Sequence, residues 1–140
     1  MIVERDAYQT IVSHAAQTYP EECCGAIVGS RLEDEQIVRE AWPVENVAET
    51  REHRFTIAPA DYLKIERRAR ASGVTLIGFY HSHPDAPARP SSYDLAHAWP
   101  GVSYLIVAVA ARVPGDAASW RLREDRSGFD NEEMTWPPAS

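Results

Sequence analysis

Residues 74–80 read VTLIGFY and run directly into His81-Ser82-His83. Only Thr75 interrupts this run with a polar side chain. A short, nearly continuous apolar run is the pattern of a strand buried on both faces, so residues 74–83 predict a central strand. Such a strand needs a covering layer on each side. Two segments can supply them. Residues 6–18 predict a helix with Asp6 as its cap and Ile11, Val12, Ala15 and Ala16 as an apolar stripe. A second helix starts at Ala58-Pro59-Ala60-Asp61 and runs to about Ser72, with Tyr62, Ile65 and Ala69 inward and Gly73 as its stop. Further strands are expected at residues 23–30 and 36–42, joined by the polar turn RLEDE, and at 55–57, 102–110 and 120–123, the last as an edge. Residues 43–54 and 84–90 read as loops and 91–99 as a short helix. The interleaving gives a mixed α/β (α+β) sheet flanked by helices, one domain over 1–140, with 131–140 a flexible tail.

A chain of 140 residues buries roughly two thirds of its unfolded surface and needs no disulfide to hold its core. There is no stretch of eighteen apolar residues, and MIVERDAYQT carries no apolar signal core, so a cytoplasmic protein is expected. The net charge of −7 argues against nucleic acid or an anionic membrane as partner. The basic cluster ERRAR (66–70) fits a solvated helix face. The two cysteines, Cys23 and Cys24, are adjacent. Neighbours in sequence rarely bridge, and two thiols cannot build a four-thiolate zinc site. With no basic residue beside them to activate a thiol, they read as small, partly buried residues.

The histidines are the first candidates for chemistry. In a strand, His81 and His83 share a face about 7 Å apart, close enough for both rings to lean onto one metal ion. Taken alone, such a pair is more often structural, finding polar partners at the end of a buried strand. Ser91-x-x-Asp94 has the form of a capping box, which would also aim the carboxylate rigidly. Two imidazoles and one carboxylate would leave a fourth position open, as in a catalytic zinc site. A general base that is not itself a ligand is then needed. Glu21 and Glu22 both stand at the mouth of the strand at 23–30, and periodicity does not choose between them.

Taken together, these segments resemble the JAMM (MPN+, Mov34/MPN/PAD-1) family of zinc metalloproteases. That family's pattern is an upstream glutamate, then His-x-His, seven residues and Ser-x-x-Asp. Here His81-Ser82-His83 is followed by the seven residues 84–90 and then Ser91-Ser92-Tyr93-Asp94. The Pro-x-Glu-x-Cys-Gly form of stand-alone bacterial members falls on Pro20, Glu22, Cys24 and Gly25, which selects Glu22. The resemblance implies a single curved-sheet, cytidine-deaminase-like domain holding one Zn²⁺ through His81, His83 and Asp94. It also implies Glu22 as general base towards the attacking water and Ser91 as donor to the oxyanion. The implied substrate is a small ubiquitin-like sulfur-carrier protein with a Gly-Gly C-terminus, trimmed or relieved of a cysteine. Removal of a modifier from lysine and a zinc-binding interaction module without catalysis are the alternatives. Ubiquitin-chain cleavage fits less well, because only Trp99-Pro100-Gly101 separates the helix after Asp94 from the next strand. A non-haem iron site would need a further ligand, and the only later histidine is His97. His97 shares a helix face with Asp94 and is either a supporting or substitute ligand or a packing residue. Monomer and homodimer are equally compatible with the sequence.

Overall fold

The computed structural model describes residues 1–136. In chain order the elements are β1 (Ile2–Val3), α1 (Arg5–Thr18), β2 (Cys24–Arg31), β3 (Gln36–Val44), α2 (Pro59–Ser72), β4 (Thr75–Pro84), α3 (Ser92–His97), β5 (Ser103–Ala110), β6 (Val113–Leu122) and β7 (Phe129–Glu132). They form one seven-stranded sheet in the order β1-β3-β2-β4-β5-β6-β7. β4 lies at the centre, antiparallel to β2 and parallel to β5. A strand paired on both edges and covered on both faces accounts for the apolar run.

The sheet curls until its ends meet. Ile2 bridges Thr135, the Val3 N–H donates to the Thr135 carbonyl at 3.1 Å, and the Thr135 N–H donates to the Met1 carbonyl at 2.8 Å. Gln36 on β3 extends the closure, its amide donating to Ser103 on β5 and Glu132 on β7, both at 3.2 Å. The curled sheet wraps α1, which buries Ala7, Ile11 and Ala15 completely, one stripe at spacing four. Around them pack Ile27, Val38, Ile77, Tyr80, Leu105 and Val107. The opposite face carries α2, whose Ile65 and Ala69 cover Ala26, Val28, Trp42 and Phe79. Gly73 ends α2 in the left-handed region at φ 68°, as its sequence position predicts. No helix among the described residues is long and apolar enough to cross a membrane.

One irregularity in β4 decides where the site faces. β2 pairs Val28 with Leu76 and Ile27 with Gly78, which leaves Ile77 as an extra residue. Ile77 and Tyr80 therefore both face α1, while Phe79 faces α2. His81 and His83 follow Phe79 at two and four residues and so stand on the same face, that of α2. Gly78 is obligatory here, because a Cβ would lie inside the Ser103 carbonyl of the neighbouring strand.

Several sequence expectations are corrected. The flexible tail does not begin at 131: residues up to 132 extend β7, Thr135 closes the sheet and Trp136 meets Tyr8 edge-on at 4.8 Å between ring centroids. Residues 137–140 lie outside the described residues. The expected edge strand at 120–123 is the end of the ten-residue β6, which is paired on both sides. Pro114-Gly115 masked its beginning, and a register shift between Val107 and Val109 accommodates it. Residues 55–57 are irregular rather than a strand, because the Asn46 side chain, not a partner strand, accepts the Thr56 N–H. Asp6 is not the cap of α1; the helix starts at Arg5, and Glu4 precedes it without a side-chain bond.

The closure predicts that Trp136→Ala lowers stability by about 1–2 kcal/mol, through lost half-buried aromatic area and the Tyr8 contact. Urea unfolding checks this, and an unchanged midpoint would show that the segment after β7 contributes nothing.

Candidate metal centre

Four of the sequence-predicted residues converge at the C-terminal end of β4. Glu22, His81, His83 and Asp94 are 4%, 1%, 6% and 9% exposed. The β2–β4 register sets Cys24 directly opposite His81, so Cys24, and Glu22 two residues before it, belong to the histidines' face. Glu21 points away and is paired with Arg51 at 2.5 Å. Asp94 arrives from α3, where the capping box is fully formed. The Asp94 N–H donates to Ser91 Oγ at 3.0 Å, and the Ser91 N–H donates to Asp94 Oδ2 at 2.9 Å. The cap and the convergence are thus one device, since the box that starts the helix also aims the carboxylate.

The inward atoms form a small triangle. His81 Nε2 and His83 Nε2 are 3.1 Å apart, and Asp94 Oδ2 is 3.3 Å from the first and 3.2 Å from the second. For a tetrahedral ion with bonds of about 2.0–2.1 Å, ligand atoms are separated by about 3.3 Å. The triangle therefore has the dimensions of one face of a zinc coordination sphere. The His83 tautomer also fits: its Nδ1–H donates to the Pro87 carbonyl at 2.8 Å, which leaves the Nε2 lone pair for an ion. The Glu22 carboxylate stands further out, its ligand atom and those of the two histidines lying within 4.8 Å of one another. Its Oε1 is buried with no hydrogen-bond partner among the described residues.

Burial sets the electrostatics. It pushes the Glu22 carboxyl up to about 8, opposed by His83 and reinforced by Asp94. It lowers His81 against the pull of Asp94. Burial would lower His83 as well, but hydrogen bonds to Asp94 and the Pro87 carbonyl outweigh it and raise this imidazole. Asp94 is likewise disfavoured by burial, yet the two histidines and the Ser91 N–H hold it well below the usual carboxylate range. Buried Cys23 and Cys24 have raised thiol pKa values, with Cys23 at about 11, so both stay protonated at neutral pH.

Two clefts meet at the histidines. One, of about 610 Å³, is aromatic, with Phe55, Tyr62, Tyr93 and Trp99 among the residues that line it beside His81 and Asp94. The other, of about 450 Å³, is polar and holds Glu22, Glu52, His83, Arg89 and Ser91. His97 does not join the cluster. It is exposed, stacks on Tyr93 at 4.0 Å between centroids and bonds the Tyr93 carbonyl at 2.9 Å. Phe55, Asn46 and Pro87 escaped sequence reasoning: the sequence places Phe55 only in a short strand, and an amide and a proline in polar loops carry no periodic signal.

Residues 4–123 match the family model described as prokaryotic homologs of the JAB domain. The desampylase of Haloferax volcanii is 36% identical over 113 residues, covering 77% of this chain and 80% of that protein. A probable TtuB-protein conjugate cleaving protease of Thermus thermophilus is 30% identical over 106 residues, 76% of this chain and 68% of that protein. The solution structure of protein DSY2949 from Desulfitobacterium hafniense superposes with a TM-score of 0.84 at 33% identity, over 96% of this chain and 92% of that one. Together with the buried glutamate and histidines, these likenesses place the chain among the JAMM-type metallopeptidases. It belongs to the prokaryotic JAB family.

A site of this geometry couples metal to folding. Zn²⁺ at a hundredfold excess over its dissociation constant should stabilise the fold by about 2.7 kcal/mol, and a chelator should reverse the gain. Thermal unfolding with and without metal measures it; identical midpoints would contradict a site that binds only when folded.

Proposed function

We propose that this chain is a zinc-dependent peptidase or isopeptidase acting in the cytoplasm. Its substrate is a small ubiquitin-like protein, and the bond cut is the amide that follows the carrier's C-terminal Gly-Gly. The observation that carries this reading is the triangle of His81 Nε2, His83 Nε2 and Asp94 Oδ2 with the unpartnered Glu22 Oε1 beside it.

His81, His83 and Asp94 hold the ion. Zn²⁺ there supplies Lewis acidity towards the scissile carbonyl and lowers the pKa of a water to about 7. Glu22 takes the proton of the attacking water on Oε1 and returns it to the leaving amine. Burial raises this carboxyl in the metal-free site, so the carboxylate holds a proton more strongly than an exposed glutamate would, which suits a base. Ser91 Oγ accepts the Asp94 N–H, so the hydroxyl proton remains free to donate to the developing oxyanion. The capping bond that orients Asp94 therefore also orients Ser91.

The substrate class rests on likeness and on what the fold omits. The relatives carry the names desampylase and TtuB-protein conjugate cleaving protease, the second describing hydrolysis at a protein conjugate. Only residues 98–102 join α3 to β5, which leaves no insertion there to grip a second folded protein. The conjugate-cleaving relative favours a lysine-linked substrate as the second reading, beside release of a cysteine or short peptide.

Intact-mass assays with Gly-Gly-tailed carriers bearing a cysteine, a peptide or a lysine isopeptide distinguish these substrates, and no cleavage of any would favour a binding module. Glu22→Ala should retain one zinc per chain and lose about 10²–10⁴-fold in turnover. Asp94→Ala should lose the metal itself. Full zinc occupancy in Asp94→Ala, or wild-type turnover in Glu22→Ala, would overturn the assignment of ligand and base. Tightly bound iron in the purified protein would count against hydrolysis.

A further inference from the structure

The two histidines of the centre are held in different ways. His83 is oriented by a hydrogen bond from Nδ1 to the Pro87 carbonyl at 2.8 Å. The corresponding His81 Nδ1 is buried and has no hydrogen-bond partner among the described residues. Metal-binding imidazoles are ordinarily fixed by a partner at the ring nitrogen that does not face the ion. At His81 a different contact occupies the ring: Phe55 lies stacked on it, with centroids 4.4 Å apart and planes inclined by 24°.

Phe55 is itself held from both sides. The Asn46 amide donates to the carbonyls of Arg54 and of Glu22, each at 2.9 Å, and its oxygen accepts the N–H groups of Thr56 at 3.0 Å and Ala48 at 3.1 Å. The residues immediately before and after Phe55 are thereby tied to the backbone of the glutamate. On the outer side the Arg54 guanidinium lies 4.7 Å over the Tyr93 ring, and Thr56 Oγ1 is 3.4 Å from the Tyr93 hydroxyl. Tyr93 immediately precedes Asp94.

We infer that Phe55 is a positioning residue for the metal, fixing the His81 ring by stacking where His83 is fixed by a hydrogen bond, with Asn46 holding Phe55 in register. Chemistry supports the pairing. An imidazole that gives its lone pair to a cation becomes electron-poor, and an electron-poor ring is attracted to the negative face of a benzene ring. The stack therefore strengthens when the ion binds, which is the differential interaction needed to favour the loaded site. This inference rests on the proposed use of His81 as a ligand.

Phe55 is half-buried in an irregular segment, so its replacement leaves the two main cores intact. The test compares wild type with Phe55→Ala, Phe55→Leu and Phe55→Tyr by competition for Zn²⁺ against a chromogenic chelator. The visible spectrum of the Co²⁺-substituted proteins is the second readout. Phe55→Ala should bind Zn²⁺ about 2–10-fold more weakly and alter the Co²⁺ bands, while Phe55→Tyr stays close to wild type. Affinity and spectrum unchanged in Phe55→Ala would overturn the inference. Full restoration by Phe55→Leu would overturn it too, by showing that bulk alone suffices. Failure of wild type itself to bind Zn²⁺ would instead remove the metal-site reading on which the inference stands.

Discussion

His81 Nε2, His83 Nε2 and Asp94 Oδ2 are three electron-rich atoms held within 3.3 Å of one another in a buried place. Such a grouping is costly unless a proton or a cation sits among them. Much of the surrounding structure serves to impose it. β4 supplies both imidazoles because it is the most enclosed strand of the sheet, paired along both edges. The capping box of α3 supplies the carboxylate at fixed distance, and Gly78 lets β5 approach closely enough to hold the strand's course. The same burial that makes the triangle costly raises the Glu22 carboxyl of the metal-free site above the usual carboxylate range.

Much of this was legible in the sequence, for reasons of range. The His-x-His spacing and Ser-x-x-Asp are local patterns, read from the strand period and from cap chemistry, and both survive folding unchanged. The helix at residues 59–72, with its glycine stop, is local too. What the sequence hid was non-local. The extra residue Ile77 has no composition signal, yet without it β4 would turn its histidines towards α1. Glu21 and Glu22 became distinguishable by periodicity only once Cys24 was known to pair with His81. Resemblance to a family pattern had chosen Glu22 without that information. The segment after β7 looked free because TWPP has neither strand period nor helix period, and its partner, the two-residue β1, lies at the other end of the chain.

The polar loop between β3 and α2 shows the same lesson at the site. Phe55 was expected in a short strand and is instead carried by an amide, Asn46, that uses both donors and its acceptor oxygen on backbone groups. A fully satisfied amide makes an irregular segment as definite as a ladder would. It also links three parts that sequence keeps apart: the glutamate before β2, the ring over His81, and the tyrosine beside Asp94. The aromatic cleft of about 610 Å³ opens along this wall, and the polar cleft with Glu22 and Ser91 lies across the histidines from it.

The central claim is that two imidazoles and an oxygen donor from these elements hold one zinc ion, with the adjacent cysteines excluded. X-ray absorption at the zinc edge of the purified protein tests it directly. The structure predicts a first shell of nitrogen and oxygen at about 2.0–2.1 Å, with outer-shell scattering from two imidazoles and no sulfur. A sulfur shell at about 2.3 Å, or scattering from a single imidazole, would contradict it.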